Sequence, residues 1–406
     1  MIIKRTLFPK LKAHLSQKEI SLIVGPRQAG KTTLMLALKQ YLEEKGEKTV
    51  FFNLDVETDA EYFQTQARLI QKIQLEVGKK KAFVFIDEIQ RRKNAGLFLK
   101  GIYDLNLPYK FIISGSGSLE LKEKIHESLV GRKRVFKLFP LSFEEFVNFK
   151  TEYRYEKKLV DFFALEKEKT ANFLEEYLIF GGYPRVVLAP TASEKKLILE
   201  ELYQSYLEKD ISWLLKIKKT ETFSKLVRVL ASQAGNLVNF SELSSTLRIS
   251  LETVKNYLWY LEKTFILQKI TPYFQNLRKE ISKAPVYYFS DLGLRNYALG
   301  RETNGFLFQN FVFNILKEKY PPEKIHFWRT KDGGEIDFVI ETPDWPLPLE
   351  TKASQLKEAK IPRCLKNFIK KYQPPQAFVV NLTLEKTFFL GKTKISFLPF
   401  WKLFAL

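Results

Sequence analysis

Cysteine is nearly absent from this chain of 406 residues, which contains only Cys364. A single thiol excludes an intrachain disulfide and any metal site built on several cysteines, and it fits a reducing interior. The three histidines, His14, His126 and His326, lie far apart in sequence, so a histidine-based zinc site is not indicated. No apolar stretch approaches about 18 residues, and the N-terminus has no apolar targeting core. We therefore expect a cytoplasmic protein without membrane insertion.

Acidic residues are too few to balance the basic ones. The chain has 66 Lys and Arg against 46 Asp and Glu, which gives a formal charge of +20. Such a field attracts polyanions, nucleic acid first and an anionic membrane second. Charge alone names no site, and a well-solvated basic surface gives the same count. With 45% hydrophobic residues the chain can build sizeable cores, and its length predicts two or three domains.

The residues from 20 to 46 have the pattern of a buried strand, a glycine-containing turn and a helix. Between strand and helix lies Gly25-x-x-x-x-Gly30-Lys31-Thr32, the Walker A pattern. Backbone N–H groups of such a loop converge on phosphate oxygens, and the helix start adds the positive end of its dipole. Lys31 would contact the β- and γ-phosphates, and the Thr32 hydroxyl would bind Mg²⁺. The predicted ATP-binding loop comprises Gly25, Pro26, Arg27, Gln28, Ala29, Gly30, Lys31, Thr32 and Thr33.

A second short apolar run, residues 83–86, ends in Asp87 and Glu88. A buried parallel strand that finishes in two acids delivers them to the carboxyl edge of its sheet, where ligands bind. Asp87 would hold Mg²⁺, directly or through water, and Glu88 would polarise the attacking water. The sequence therefore predicts the second half of an ATP-hydrolysing site.

The next apolar strand, residues 111–113, leads into Ser114 and Ser116. Either serine could sense the γ-phosphate, or both could cap the following helix. Arg132 and Arg134 precede a further strand, and an arginine that stabilises transition-state charge is the part that hydrolysis still lacks. Either could act in the same chain or from a neighbouring subunit of an oligomer; a plain surface basic cluster is the alternative.

Taken together, several motifs resemble a bacterial and archaeal AAA-type ATPase family whose C-terminal domain has no known function. The resemblance implies a parallel α/β sheet of the additional-strand P-loop type, with ATP binding and hydrolysis. It spans nearly the whole chain. The residues that carry it are the Walker A loop, Asp87-Glu88-Ile89-Gln90, Ser114-Gly115-Ser116, Gly131-Arg132, "PLSFEEF", "GGYPRVV", "YLEKDI" and "FSDLGLRN".

The middle of the chain has a helix-turn-helix pattern between about residues 240 and 263. Leu243 and Leu247 face inward on the first predicted helix, and Ser250 can cap the second. An apolar face at helical spacing follows on that second helix. Two strand-like runs then flank a basic connection, which together outline a winged helix. The predicted apolar face consists of Val254, Tyr257, Leu258 and Leu261.

The sequence is compatible with two roles for this winged helix, of which the first is contact with DNA. The presumed recognition helix balances its charges, although Thr253 and Asn256 could touch base edges. The basic wing, with Arg278, Lys279 and Lys283, is the better candidate contact. The other role is that of a mechanical lid or a protein-binding module.

The last hundred residues pair one apolar helix with several strands, an order that resembles the PD-(D/E)XK nuclease fold. If the two central strands pair as a hairpin, Asp337 and Glu350 can share a Mg²⁺. Lys352 would then orient or deprotonate a water, or stabilise phosphate charge. The resemblance also implies a glutamate on the preceding helix, where this chain has Gln309; an amide in that place lowers the expected affinity for a hard dication.

We therefore predict three parts: residues 1–165, an AAA-like P-loop ATPase domain; residues 166–290, a helical and winged helix-turn-helix domain; and residues 291–406, a nuclease-like α/β domain. The leading function is a Mg²⁺-dependent ATPase whose nucleotide state is coupled to modules that contact nucleic acid, DNA rather than RNA. The alternatives are an ATP-gated, Mg²⁺-dependent DNA nuclease and a nucleotide-dependent binding switch with negligible turnover. Glu88 argues against the switch, because hydrolysis needs such a base.

Overall fold

The computed structural model contains a five-stranded sheet and a six-stranded sheet, with a helical region and a two-stranded sheet between them in sequence. Among the residues that the structure describes, no helix is long and apolar enough to cross a membrane. The described residues are 3–116, 129–205, 220–273, 284–300, 305–330 and 333–405.

The N-terminal unit alternates strands and helices, as the sequence predicts. Its strands are β1 (Ile20–Gly25), β2 (Thr49–Asn53), β3 (Ala82–Asp87), β4 (Tyr109–Ser116) and β5 (Lys133–Lys137). Its helices are α1 (Leu7–Ala13), α2 (Lys31–Glu43), α3 (Glu57–Ala60), α4 (Gln66–Val77) and α5 (Ala95–Asp104).

The five strands are all parallel and lie in the order β2-β3-β4-β1-β5. Strand β4 stands between β1 and β3, which is the inserted strand that the additional-strand prediction requires. Every residue of β1 and of β3 is buried, because helices cover both faces of the sheet. The predicted P-loop fold of the N-terminal part is therefore confirmed.

A helical region follows the first sheet. Its helices are α6 (Phe143–Lys150), α7 (Leu159–Leu165), α8 (Lys167–Phe180), α9 (Pro184–Leu188), α10 (Ala192–Ser205), α11 (Thr220–Ser232), α12 (Phe240–Leu247) and α13 (Leu251–Lys263). The antiparallel strands β6 (Leu267–Ile270) and β7 (Val286–Phe289) and the helix α14 (Leu292–Leu299) come next.

Helices α12 and α13 form the helix-turn-helix predicted from the sequence. The turn passes through Arg248 in the left-handed region, with φ of 54°. The Ser250 hydroxyl caps α13 by accepting from the Thr253 backbone N–H at 3.1 Å. The predicted apolar face of α13 is buried in a core that also receives Leu243. Helix α14 packs on α8, α10 and α11 and so belongs to this helical core.

The C-terminal unit is built on a mixed sheet with the order β12-β13-β11-β10-β9-β8. Its strands are β8 (Ile325–Arg329), β9 (Glu335–Glu341), β10 (Pro346–Thr351), β11 (Gln376–Asn381), β12 (Lys386–Leu390) and β13 (Thr393–Pro399). Helices α15 (Gly305–Lys319) and α16 (Arg363–Tyr372) accompany it. Strands β9 and β10 pair antiparallel, as the predicted hairpin requires.

Candidate functional site: a phosphate loop and a carboxylate cluster

The phosphate loop joins β1 to α2 at the carboxyl edge of the first sheet. Gln28 and Gly30 both have positive φ, 56° and 94°, which turns the loop back over the start of α2. Gly25 is required for a steric reason, because a Cβ there would lie 2.0 Å from the Leu138 carbonyl oxygen. Glycine at this position therefore allows the chain after β5 to approach the loop closely.

Lys31 and Thr32 begin α2 and point at the strand ends. The Lys31 ammonium is buried and donates to the carbonyl oxygens of Gly25 and Pro26 at 3.2 and 2.9 Å. The Thr32 hydroxyl donates to Asp87 Oδ2 at 2.6 Å, which joins the start of α2 to the end of β3. This pairs the two oxygen groups that the sequence assigns to Mg²⁺, and hydroxyl and carboxylate oxygens are the ligand types that Mg²⁺ takes.

Asp87 is held from its other side by Ser114, whose hydroxyl donates to Asp87 Oδ1. Ser114 is buried on β4, directly beside β3 and β1. In this geometry Ser114 fixes the orientation of the Asp87 carboxylate. The backbone of Ser116 ends β4, whereas its side chain lies outside the described residues.

Glu88 follows Asp87 in the left-handed backbone region, with φ of 55°. This conformation turns the chain out of β3, and the Glu88 N–H donates to Asp87 Oδ1 at 3.1 Å. The Glu88 side chain is half-buried, and its carboxylate accepts a hydrogen bond from the Gln90 amide. A carboxylate with these restraints beside Asp87 has the chemistry of a base for an attacking water.

A cavity of about 1040 Å³ opens beside the loop and along α2. Its walls come from the N-terminal segment, the exposed side of α2, and helices α6 and α9. Gly30 and Thr33 lie at its phosphate-loop end, and Tyr41 lies further along α2. The cavity is large enough for a nucleoside next to the loop, since small-molecule sites usually occupy about 300–1,000 Å³.

Arg5 is a residue of this site that the sequence did not reveal. Its guanidinium donates to the Ala29 carbonyl of the loop at 2.8 Å and to Phe139 O at 2.6 Å. It also forms a buried ion pair with Glu145 at 3.0 Å. Glu145 is itself fixed by a capping box with Ser142 at the start of α6. The N-terminal segment and α6 therefore hold the loop from outside the Walker A motif.

Arg185 is a second residue of this site that the sequence did not reveal. It follows Pro184 in "GGYPRVV" and reaches Gln28 of the phosphate loop, with 3.1 Å between NH1 and Oε1. Its other nitrogen pairs with Glu201 at 3.0 Å. The arginine in this motif was the available signal, but its spatial neighbour lies 157 residues away in sequence.

The same motif is tied to the start of α14. The Gly182 N–H donates to Asp291 Oδ2 at 2.7 Å, and the Leu294 N–H donates to Asp291 Oδ1 at 2.9 Å. Burial raises the pKa of Asp291 to about 6, although these backbone donors oppose the rise. Gly181 has positive φ and Asp291 directly above it, so a Cβ there would lie 2.4 Å from the carboxylate. The "FSDLGLRN" and "GGYPRVV" motifs therefore form one junction.

Arg132 and Arg134 do not lie at the phosphate loop. The register pairs Ile20 with Lys133, so both arginines stand at the amino edge of the sheet. Arg132 pairs there with Asp104 at 2.7 Å. The predicted arginine finger within the same chain is therefore wrong. The order of motifs along the chain predicted the strand, but it did not predict which end of the strand carries the arginines. A role across a subunit interface stays a prediction.

The predicted C-terminal cluster comes together on β9, β10 and α15. The strand register pairs Leu349 with Phe338, which places Glu350 opposite Asp337. Asp337 Oδ1 accepts from the Gln309 amide at 3.0 Å, and Oδ2 accepts from the Thr351 N–H at 2.7 Å and its hydroxyl at 2.6 Å. The Gln309 side chain therefore points at the sheet, and its amide is a hydrogen-bond donor to Asp337.

Glu350 has one paired and one unpaired oxygen. Its Oε1 accepts from the Lys352 ammonium at 2.8 Å, whereas its buried Oε2 has no hydrogen-bond partner in the described part of the chain. Burial, and then the Asp337 charge, raise the pKa of Glu350 to about 7. In the described ranges no cluster of three or more His, Cys, Asp or Glu side chains is placed to hold a metal ion. Mg²⁺ binding by Asp337 and Glu350 stays a prediction.

The helix-turn-helix presents few groups for base contact. Asn256 is exposed on α13, whereas the Thr253 hydroxyl is engaged by Ser250 at 2.8 Å. Arg278, Lys279 and Lys283 of the predicted wing lie outside the described residues.

Comparison with protein families divides the chain into three matched segments. A family described as "AAA domain" matches residues 17–147, and two domains of unknown function match residues 172–305 and 304–403. A Haemophilus influenzae protein recorded as uncharacterized is 29% identical over 366 residues, which cover 85% of each chain. An uncharacterized Methanocaldococcus jannaschii protein is 26% identical over 339 residues, covering 81% of this chain and 74% of the other.

Solved structures that match part of this chain in the structure comparison include the Aeropyrum pernix ORC1 protein in complex with DNA. It shares 12% identity, with a TM-score of 0.30, over 72% of this chain and 90% of its own. An Aquifex aeolicus DnaA bound to AMPPCP shares 15% identity, with a TM-score of 0.28, over 65% of this chain and 90% of its own. At these TM-scores the assignment rests on the sheet order and on the match of residues 17–147. Residues 17–147 are thus similar to an AAA domain, and the parallel sheet around them has the strand order of an additional-strand P-loop fold.

Proposed function

We propose that this protein binds Mg²⁺-ATP at the phosphate loop and hydrolyses it to ADP and phosphate. The observation that carries the proposal is the convergence of Lys31, Thr32, Asp87 and Glu88 at the carboxyl edge of the first sheet. Lys31 and Thr32 begin α2, Asp87 ends β3 and Glu88 follows it, and a structural role alone does not require these four types together. The adjoining cavity provides room for the nucleoside.

In the proposed reaction, a water attacks the γ-phosphorus and the bond from that phosphorus to the bridging oxygen of ADP breaks. Glu88 accepts the proton of the water, and Lys31 exchanges its two carbonyl contacts for phosphate oxygens. Bound Mg²⁺ would neutralise charge on the β- and γ-phosphates. Thr32 and Asp87 would hold the metal, and Ser114 keeps Asp87 oriented.

We also propose that nucleotide state is coupled to the rest of the chain through the junction of "GGYPRVV" with α14. Arg185 contacts Gln28 in the phosphate loop. Gly182, which precedes Arg185 by three residues, donates a backbone hydrogen bond to Asp291 just before α14. A phosphate that draws Arg185 away from Gln28 would therefore pull on the start of α14. Two-state elements that both sites bias are the physical basis of such coupling.

The modules beyond this junction are proposed to be a winged helix and a nuclease-like domain that contact nucleic acid. Helices α12 and α13 followed by the β6–β7 ribbon support the first, and the helix–strand order of the C-terminal unit supports the second. The net charge of +20 supports a polyanionic partner. An ATP-gated nuclease is the second candidate, favoured by the meeting of Asp337, Glu350 and Lys352 at one site.

The substitution Glu88→Gln tests the hydrolysis directly. It removes the base and keeps the shape, so we expect ATP affinity within about threefold of wild type and phosphate release reduced by at least about 100-fold, since general-base catalysis contributes about 10²–10⁴-fold. Glu57→Gln is a matched control, because Glu57 is exposed on α3. Affinity would be measured by nucleotide titration and turnover by phosphate release. Unchanged release in Glu88→Gln would disprove the ATPase assignment.

A further inference from the structure

The positive charge of this protein is concentrated in its last 56 residues. Residues 351–406 contain 11 Lys and Arg against 2 Asp and Glu, a net charge of +9. Six of these cations are exposed together on α16 and the loop before it. We call this surface the α16 basic face; it consists of Lys357, Lys360, Arg363, Lys366, Lys370 and Lys371.

The α16 basic face is electrostatically uncompensated. None of its six side chains forms an ion pair with any residue in the part of the chain that the structure describes. Glu358 is the acidic residue within residues 352–372. Elsewhere many exposed lysines and arginines do have carboxylate partners, such as Lys4 with Glu156 and Arg185 with Glu201. Like charges gathered without partners raise the energy of the isolated protein and favour an external anion.

The apolar face of α16 is buried, and this determines how the helix can bind an external polyanion. Leu365, Phe368 and Ile369 are buried against the second sheet, in a core with Trp328 and Phe397. A helix that inserts into a membrane surface needs its apolar face free to enter the lipid. Here the apolar side is used by the fold and only the charged side is exposed. Binding through this face is therefore electrostatic, as with a phosphate backbone.

The position of the face relates it to the carboxylate cluster. Helix α16 packs on β9 and β10, the strands that carry Asp337 and Glu350. Cys364, in the first turn of α16, is close enough to Glu350 and Lys352 for their charges to act on its thiol. A linear polyanion along the face would thus run from the end of α16 towards Lys352.

We propose that the α16 basic face is the principal nucleic-acid contact of this protein and binds the phosphate backbone of DNA. It deepens the nucleic-acid contact proposed above by moving the main contact from the helix-turn-helix to the C-terminal unit. Since phosphate contacts carry no base information, the binding should show little sequence preference and strong salt dependence.

The test uses the full chain and a fluorescein-labelled 30-base-pair duplex of mixed sequence, followed by anisotropy at several salt concentrations. The quadruple variant K357Q/K360Q/K366Q/K370Q removes four exposed charges with no side-chain bond among the described residues. We expect its affinity to fall at least tenfold. The slope of log affinity against log salt should fall in magnitude by up to about 3.6, near 0.9 for each of the four lost phosphate contacts.

A matched control removes the same total charge elsewhere. Lys79, Lys80, Lys157 and Lys196 are exposed in the first sheet's unit and the helical region, and K79Q/K80Q/K157Q/K196Q should leave affinity within about twofold. Equal losses in both variants would mean that net charge binds DNA and would overturn the proposal. So would a wild-type chain that does not bind the duplex, or a quadruple variant that binds it normally.

A third arm separates DNA from lipid. If vesicles containing phosphatidylserine lose binding in the α16 variant while the duplex does not, the face is a membrane contact and the proposal is wrong. ATP hydrolysis without DNA should be equal in all three proteins. A chain with no ATPase activity whose DNA binding still depends on α16 would refute the proposed hydrolysis and support this surface.

Discussion

The two clusters at the ends of the chain use the same residue types in different ways. At the phosphate loop, Asp87 accepts from the Thr32 and Ser114 hydroxyls, and Lys31 precedes Thr32 at the start of α2. In the C-terminal unit, Asp337 accepts from Thr351 and Gln309. Both clusters set a carboxylate on a strand, Asp87 at the end of β3 and Asp337 within β9, and bond it to a neighbouring element.

What separates the clusters is the environment of the lysine. Lys31 donates to the Gly25 and Pro26 carbonyls, which are neutral acceptors that an incoming phosphate can replace. Lys352 is ion-paired with Glu350, whose second oxygen is buried without a hydrogen bond among the described residues. Replacing an ion pair costs more than replacing a neutral contact. The first cluster is therefore prepared for an anionic ligand and the second is internally compensated.

Removing each lysine in turn gives the largest expected contrast. We expect Lys31→Ala to weaken ATP binding by at least about 100-fold, because an ion pair to a partly buried phosphate contributes about 3 kcal/mol or more. Lys352→Ala should leave ATP affinity unchanged. Nucleotide titration of both variants measures this. Equal affinities for ATP in the two variants would contradict the assignment of Lys31.

Local motifs explain which parts of the sites were predictable. The Walker A loop, Asp87 and Glu88 follow from spacing, because strand, turn and helix are neighbours in sequence. The two-residue periodicity places Asp337 on one face of its strand and Glu350 with Lys352 on one face of theirs, and the observed pairing of β9 with β10 brings the two faces together. The structure brings these residues together because each placement depends on a repeat that the backbone enforces, and the roles assigned to them stay predictions.

Contacts between distant segments were not predictable. Arg5 and Arg185 reach the loop from other parts of the fold, and neither the N-terminal segment nor the "GGYPRVV" turn carries a pattern that names its partner. The prediction that Arg132 acts at the phosphate loop of its own chain was wrong for the converse reason. Arg132 is near a strand of the correct sheet, but a strand has two ends and only register decides which end meets the ligand.

The junction between the two regions gives a smaller effect that depends on pH. Burial raises the pKa of Asp291 to about 6 from its ordinary 3.8, so the folded state holds this proton more tightly than the unfolded state. Its stabilising contribution is complete below about pH 4 and is lost as pH rises to about 6. The loss is on the order of 2–3 kcal/mol.

Asp291→Asn should therefore remove this part of the pH dependence. It also replaces one acceptor of the Gly182 and Leu294 N–H groups, which costs about 1–2 kcal/mol at every pH. Urea unfolding of wild type and variant between pH 4 and 7 gives both quantities. Parallel free-energy profiles would show that Asp291 does not titrate in this range.

In the proposed function, the site at the phosphate loop hydrolyses ATP, whereas the C-terminal cluster does not cleave DNA. One reaction containing ATP, Mg²⁺ and labelled DNA tests it when run with wild type, Glu88→Gln and Asp337→Ala. We predict phosphate release by wild type and Asp337→Ala, none by Glu88→Gln, and intact DNA in all three. Phosphate release that survives in Glu88→Gln, or DNA that is cut by wild type and spared by Asp337→Ala, would contradict the account.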